Sequence, residues 1–414
     1  MPILIQKKIK PNITMKTTNS ILITALILGT TAGTGIAQKL NYKPKADLVK
    51  LIDRNLKDGA AQYKVLMKNV PADSLPETFE NNRSKSTTPK SWVSGFYPGT
   101  LFYLYEGTKD KALYEAGLAK LPIMEPIKYI DSHDIGFMMY CSFGNANHIK
   151  PSAAYKDILL TSAQSLSKRF NPIVGCTMSW GSKPGEFRVI IDNMMNLELL
   201  MWATKVSGDS SYAKIAISHA NTTMKNHFRP DYSSYHLVNY NPATGGINKK
   251  QTVQGYADES AWARGQGWGL YGYTMMYRET KDPKYLEQAK HIAEFILNNP
   301  NLPKDKVPYW DFSAPDIPNA YRDASAGAIY ASALIELAGY VDAVAAKKYL
   351  DVAETIIRTL SSDRFKAAYR ENGGFILKHS VGHLPKPAMI DVPLTYADYY
   401  FVEAMLRYKD LGKK

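Results

Sequence analysis

The stretch Ile190-Ile191-Asp192-Asn193-Met194-Met195-Asn196-Leu197-Glu198-Leu199-Leu200-Met201-Trp202-Ala203-Thr204-Lys205-Val206-Ser207-Gly208-Asp209-Ser210-Ser211-Tyr212 decides the fold. Over 191–206 the apolar residues Ile191, Met194, Met195, Leu197, Leu199, Leu200 and Trp202 are too dense for one stripe of a surface helix. Apolar residues on all sides belong to an inner helix. The next segment, 210–228, alternates charge with a narrower apolar stripe, as an outer helix does. Between them Asp209 can cap the second helix, because its carboxylate accepts orphan amide hydrogens. The unit is a helical hairpin.

The same phrase recurs. Thr108-Lys109-Asp110 leads to Tyr114, Ser207-Gly208-Asp209 to Tyr212 and Ala216, and Thr280-Lys281-Asp282 to Tyr285, Ala289 and Ala293. Tyr349 and Ala353 echo it later. The spacing predicts helices near 44–69, 96–107, 110–124, 134–146, 152–169, 191–206, 210–228, 259–279, 283–299, 323–339, 343–361 and 392–411. Short Asp-bearing turns make neighbours antiparallel, hence stacked hairpins. Repeat length is irregular, and insertions at 171–190, 229–258, 300–322 and 362–391 fall between an outer helix and the next inner one. Such insertions gather at one end and wall a pocket. The expected fold is all-α, a closed (α/α)6 barrel of six hairpins with inner and outer rings, in one domain over 38–414.

Of the 414 residues, 45% are hydrophobic and 21% charged, enough to bury a large core and to exclude a mostly disordered chain. Residues 1–37 differ: Lys7, Lys8, Lys10 and Lys16 precede an apolar run from Ile21 to Leu28 and a small-residue exit at Ala37. That is the layout of a secretory signal peptide, so a periplasmic or secreted product is expected, with no membrane span in the mature form. Its removal takes the net charge from +13 to +9. The basic residues are diffuse, with no nucleic-acid motif, which fits an anionic substrate rather than nucleic acid. Cys141 and Cys176 are either a pair or buried free thiols, and Cys141 lies in an apolar helical stretch.

Two carboxylates stand at inner-helix starts. Asp134 follows His133 in His133-Asp134-Ile135-Gly136-Phe137, and Asp192 is flanked by Ile190, Ile191, Met194 and Met195. Desolvation and a second carboxylate both raise a pKa, as a general acid near neutral pH requires. A cap role is the alternative for each. In Glu259-Ser260-Ala261-Trp262-Ala263-Arg264-Gly265-Gln266-Gly267-Trp268, Arg264 and Trp268 share a helix face. A guanidinium beside an indole can grip a carboxylate and offer a sugar a stacking plate. Gly265 and Gly267 suggest close approach by a ligand or another helix. Trp92, Trp180 and His236 fall in the expected rim. Nucleophile-elbow, zinc-protease, phosphate-loop and Cys-x-x-Cys signatures are missing, so neither metal nor cofactor is expected.

These phrases together resemble glycoside hydrolase family 88, the unsaturated glucuronyl hydrolases. Further matching stretches are Trp92–Gly99, Asp192-Asn193, Pro308-Tyr309-Trp310-Asp311-Phe312, Arg322–Ala326 and Asp391-Val392-Pro393 with Ala397-Asp398-Tyr399-Tyr400. The resemblance implies removal of a non-reducing-end 4,5-unsaturated glucuronic acid from lyase-made oligosaccharides, by a metal-free barrel, and a monomer is expected. It makes Asp192 the general acid/base and Asp134 the second essential carboxylate. It assigns His236, Gln254, Arg264 and Trp268 to the substrate, places Trp92, His133 and Trp180 along the pocket, and puts Ser380 near a sugar-contacting loop. Family 105, acting on unsaturated rhamnogalacturonyl units, is the rival, and a non-catalytic acidic-glycan binder is the reading from another class. Heparin, chondroitin, hyaluronan, ulvan and gellan fragments are all admissible parents.

Overall fold

Asp residues start four of the six outer helices as the turn chemistry requires. Asp110 accepts from Ala112 N–H, Asp209 from Ser211, Asp282 from Lys284, and Asp342 from Val344 and Ala345. A computed structural model describes residues 42–181, 183–411 and 413. Among them twelve helical elements form, close to the periodicity's placement. The outer ones are Ala46–Asn69, Lys111–Met124, Ala153–Ser167, Ser210–Asn226, Pro283–Asn298 and Ala343–Leu360. The inner ones are Phe96–Thr108, an interrupted helix from Ile135 to Ile149, Asn193–Ser207, Ala263–Thr280, Ala324–Ala338 and Thr395–Asp410.

Each inner helix packs on the next, and Thr395–Asp410 closes on Phe96–Thr108, so the inner ring is complete. Its seam is aromatic: Phe96 meets Tyr399 at 5.3 Å and Tyr103 meets Tyr399 at 5.0 Å. Outside, Asn55 donates to Ser361 at 2.6 Å and Lys45 reaches Glu354 at 2.5 Å, tying the first outer helix to the last. The recurrent tyrosines and alanines are the glue between layers. Tyr285 and Tyr349 are buried, as are Ala216, Ala289, Ala293 and Ala353. Inner-helix leucines such as Leu197, Leu199 and Leu200 are fully buried, each contributing about 2 kcal/mol.

All six inner helices start at the end where the insertions lie and finish at the end of the short turns. The insertion end therefore gathers helix N-termini, whose partial positive charge favours anions. The insertions are more ordered than an all-α reading suggests. Together with the segment before Phe96–Thr108 they carry hairpins Leu75–Glu80 with Arg83–Thr87 and Ser380–His383 with Ala388–Val392, a small pair Phe170–Asn171 with Cys176–Thr177, and a three-stranded sheet Phe187–Ile190, Leu237–Tyr240, Ile247–Gln251.

Three expectations need correction. The helix expected from 259 starts at Ala263, because Ala263 N–H donates to the Trp310 carbonyl and Phe312 N–H to that of Ala261, which holds this backbone extended. The helix expected from 392 starts at Thr395, since Ala388–Val392 is spent on its hairpin. The helix expected over 134–146 runs to Ile149 with a π-helical turn at Tyr140–Gly144. Cys141 and Cys176 are both free and buried. No helix among the described residues is long and apolar enough to cross a membrane. The leader expected over 1–37 lies outside the described residues.

Candidate active site

Asp192 occupies the N-cap position of Asn193–Ser207, yet its side chain makes no cap hydrogen bond. The first amides turn back instead, Met194 N–H to the Ile191 carbonyl and Met195 N–H to that of Asp192. Asn193 beside it is anchored, donating to the Thr177 carbonyl and accepting from Ser179 Oγ. The Asp192 carboxyl is thus left to face the site. It is 7% exposed, and its Oδ2 has no hydrogen-bond partner. Burial pushes its pKa up to about 7, the Asp134 charge adds to the rise, and Arg264 and the Trp268 indole oppose it.

Asp134 repeats the arrangement one inner helix earlier. It too sits at an N-cap position without a cap bond. Its Oδ1 accepts from Asn196 Nδ2 at 3.4 Å, and its Oδ2 lies 3.1 Å from His133 Nε2. Burial pushes it up to about 7, against the pull of Asn196 and the Arg169 charge. The two carboxyls are electrostatically coupled. A cap role is excluded for both side chains by the observed bonding.

His236 reaches Asp192 through the small sheet. Ile190 pairs with Leu237, and Ile191 N–H donates to the His236 carbonyl at 2.9 Å, which sets the imidazole beside the carboxyl. Nε2 lies 3.6 Å from Asp192 Oδ2, the ring stands edge-on to Trp262 at 5.0 Å, and neither ring nitrogen has a hydrogen-bond partner. Burial, then Arg264, lower its pKa to about 3, so the ring is neutral at working pH. Such a ring can steer a water molecule. His133, likewise lowered to about 3 by burial and then Arg169, has its ring 5.9 Å from that of Trp180.

Arg264 is placed differently from its expected use. Nη1 donates to Asp323 at 3.1 Å and to the Val381 carbonyl at 2.5 Å, while Nη2 donates to Gln254 at 3.0 Å and to the Gly382 carbonyl at 2.8 Å. Only Nε lacks a partner. The guanidinium lies over Trp262 at 4.4 Å. It fastens the loop bearing Gln254 and the hairpin bearing Ser380, and it acts on Asp192 through its field. A two-point grip on a substrate carboxylate would require breaking one of these bonds, since only the Nε–H is left to donate. The close approaches at Gly265 and Gly267 are filled by Trp262 and by Ile329 and Tyr330, not by a ligand space.

Trp268 is fully buried, packed on Phe137 at 5.3 Å and Tyr400 at 5.5 Å, so it floors the site rather than plating its rim. Trp92 is half-buried and meets Tyr396 at 4.9 Å and Phe137 at 5.6 Å. Trp180 is half-buried and bridges to Arg188. Ser380 is buried with Oγ unpartnered, at the hairpin start paired with Val392. Sequence reasoning missed Asn196, which lies one helical turn beyond Asp192, and Tyr396, 5.3 Å from the Arg264 guanidinium. Among the described residues no group of three or more His, Cys, Asp or Glu side chains could hold a metal ion.

The family model for Glycosyl Hydrolase Family 88 matches residues 66–413. The chain belongs to glycosyl hydrolase family 88. It is accordingly an enzyme, a glycosidase. It is 48% identical over 326 residues to an unsaturated glucuronyl hydrolase of Formosa agariphila, covering 78% of this chain and 81% of that one. A solved unsaturated glucuronyl hydrolase specific for heparin superposes with a TM-score of 0.86 at 44% identity, over 88% of this chain and 98% of the other. The enzyme from Streptococcus agalactiae gives a TM-score of 0.83 at 29% identity, over 90% and 94%. This family 88 barrel therefore has the α/α architecture of solved unsaturated glucuronyl hydrolases.

Proposed function

We propose that the chain is an exported unsaturated glucuronyl hydrolase that releases a terminal 4,5-unsaturated glucuronic acid by hydrating its C4=C5 enol ether. The observation that carries this reading is the Asp192 carboxyl. It is buried, unpartnered at Oδ2 and raised to about 7, so a useful fraction holds a proton near neutral pH. Asp192 delivers that proton to C4, and positive charge develops on C5 and the ring oxygen. Water adds at C5 and returns a proton to the Asp192 carboxylate, steered by neutral His236. The C5 hemiketal opens to a ketone and leaves a hemiacetal at C1, which expels the remaining saccharide as an alcohol. One water is consumed and the acid is regenerated. Asp134 holds sugar hydroxyls and, by its charge, keeps Asp192 protonated. The inner-helix N-termini at this mouth favour the anionic substrate.

The test is turnover, in D2O, of a panel of lyase-generated disaccharides differing in linkage and sulfation. The expected result is loss of the conjugated double-bond absorbance, with one deuterium at C4 of the product. Turnover without deuterium at C4 contradicts the chemistry; preference for pectin-derived rhamnosyl disaccharides favours the family 105 activity. Export and a monomeric state belong to the same proposal and are read from the mass of the mature secreted chain and from light scattering.

A further inference from the structure

Asp134 should be consumed by its own helix, and it is not. A residue at an N-cap position normally gives its side-chain oxygen to an amide two or three residues on. Here that amide, Phe137 N–H, is satisfied from the neighbouring inner helix, by Asn196 Oδ1 at 2.8 Å. An amide N–H can only donate, so the oxygen of the Asn196 side chain must face Phe137 and its NH2 must face Asp134. Asn196 is 1% exposed, so neither bond is traded for water. The approach is close because position 136 is glycine: a Cβ there would lie 2.6 Å from Asn196 Cα and 2.7 Å from its Oδ1.

We propose that Asn196 is a positioning residue for the reaction: by capping Phe137 in place of Asp134 and donating to Asp134 Oδ1, it frees and orients the second carboxylate. The inference rests on the reaction proposed above. With Oδ1 facing an N–H, it must stay an acceptor, and any proton on Asp134 resides on Oδ2, beside His133. The charged and titratable groups facing Asp134 are His133, held neutral, Arg169 and Asp192; Asp192 in turn faces His236 and Arg264. Among these neighbours Asn196 is the one that hydrogen-bonds the ionised form of Asp134, so losing it makes Asp134 harder to ionise.

Two variants separate this role from packing. Asn196→Asp keeps the shape and the acceptor for Phe137 but replaces the donor with a charge; Asn196→Ala removes both bonds. Each is compared with wild type by thermal melting, by the pH dependence of kcat, and by carbon-13 titration of the Asp134 carboxyl. The expected result is an Asp134 titration moved up by about one pH unit in both variants, further in Asn196→Asp. The acid limb of kcat moves with it, and kcat falls on the order of 10- to 100-fold while KM changes less. An Asp134 titration unchanged in the folded Asn196→Asp variant overturns the proposal, whatever the activity. Absence of wild-type turnover on unsaturated disaccharide would instead sink the reaction reading, and the titration would still decide the role of Asn196.

Discussion

Glu336 and Glu403 at one end of the barrel, and Asp134 and Asp192 at the other, are buried acids treated in different ways. At the short-turn end, a cavity of about 460 Å3 is lined by residues including Tyr103, Glu198, Tyr271, Glu403 and Arg407. Glu336 and Glu403 in the network beside it are fully matched, while Glu198, which accepts from Arg278, is still raised by burial. Glu336 takes two bonds from Arg278, at 3.0 and 3.1 Å, and one from Arg407 at 2.7 Å; Glu403 accepts from Tyr103 and Tyr271 at 3.0 Å each and from Ser332. Burial alone would raise Glu336, but Arg278 and Arg407 outweigh it and hold the carboxyl below its ordinary range. At the insertion end, Asp134 and Asp192 have no such cation in hydrogen-bond contact, and both are raised. Asp398 shows that burial is not enough to mark chemistry. It too is pushed up to about 7 by burial, yet its oxygens accept from Ile376, Leu377 and Tyr63. What distinguishes Asp192 is a raised carboxyl with an unused oxygen beside a neutral imidazole.

The contrast can be broken from either side. Replacing Glu336 with Ala leaves two half-buried guanidiniums short of a partner, which should cost about 1–3 kcal/mol in a denaturant melt while kcat of the folded protein stays within a few-fold. A variant as stable as wild type would mean that the paired end is not held by its charges. Asp134→Asn should act in the other direction. The folded pKa of Asp134 lies above its ordinary 3.8, so the stability that its carboxyl contributes at low pH is lost progressively as pH rises from 3.8 to about 7. The Asn variant should therefore gain Tm over wild type at pH 8, by about 2 °C, with a smaller gain at pH 5 and none once the pH is below the ordinary 3.8. An equal fall at both pH values would show a merely structural loss.

Most of the barrel was legible because two simple signals carry it: all-round apolarity in inner helices and Asp-capped turns before outer ones. The misread helix start at 259 comes from pairing with distant chain. Ala261 and Trp262 look helical locally, but residues 310–312 claim their backbone. The π-helical turn at Tyr140–Gly144 shifts the register of a helix without changing its composition, so periodicity passes over it. In the site, Asp134, Asp192, His133 and His236 come together as expected. Arg264 was readable as present but not as occupied, since Val381 and Gly382 lie more than a hundred residues away in sequence. Asn196 reads as a polar spacer in an apolar helix; its place one turn beyond Asp192, on the same face, was the available clue.

The most direct measurement is kcat of Asp192→Asn on unsaturated glucuronyl disaccharide, with Tm recorded on the same sample. An amide in that position keeps the shape and cannot deliver a proton. The account predicts a folded protein whose turnover falls by about 100-fold or more. A folded Asn variant retaining over about a tenth of the wild-type rate would place the proton donor elsewhere.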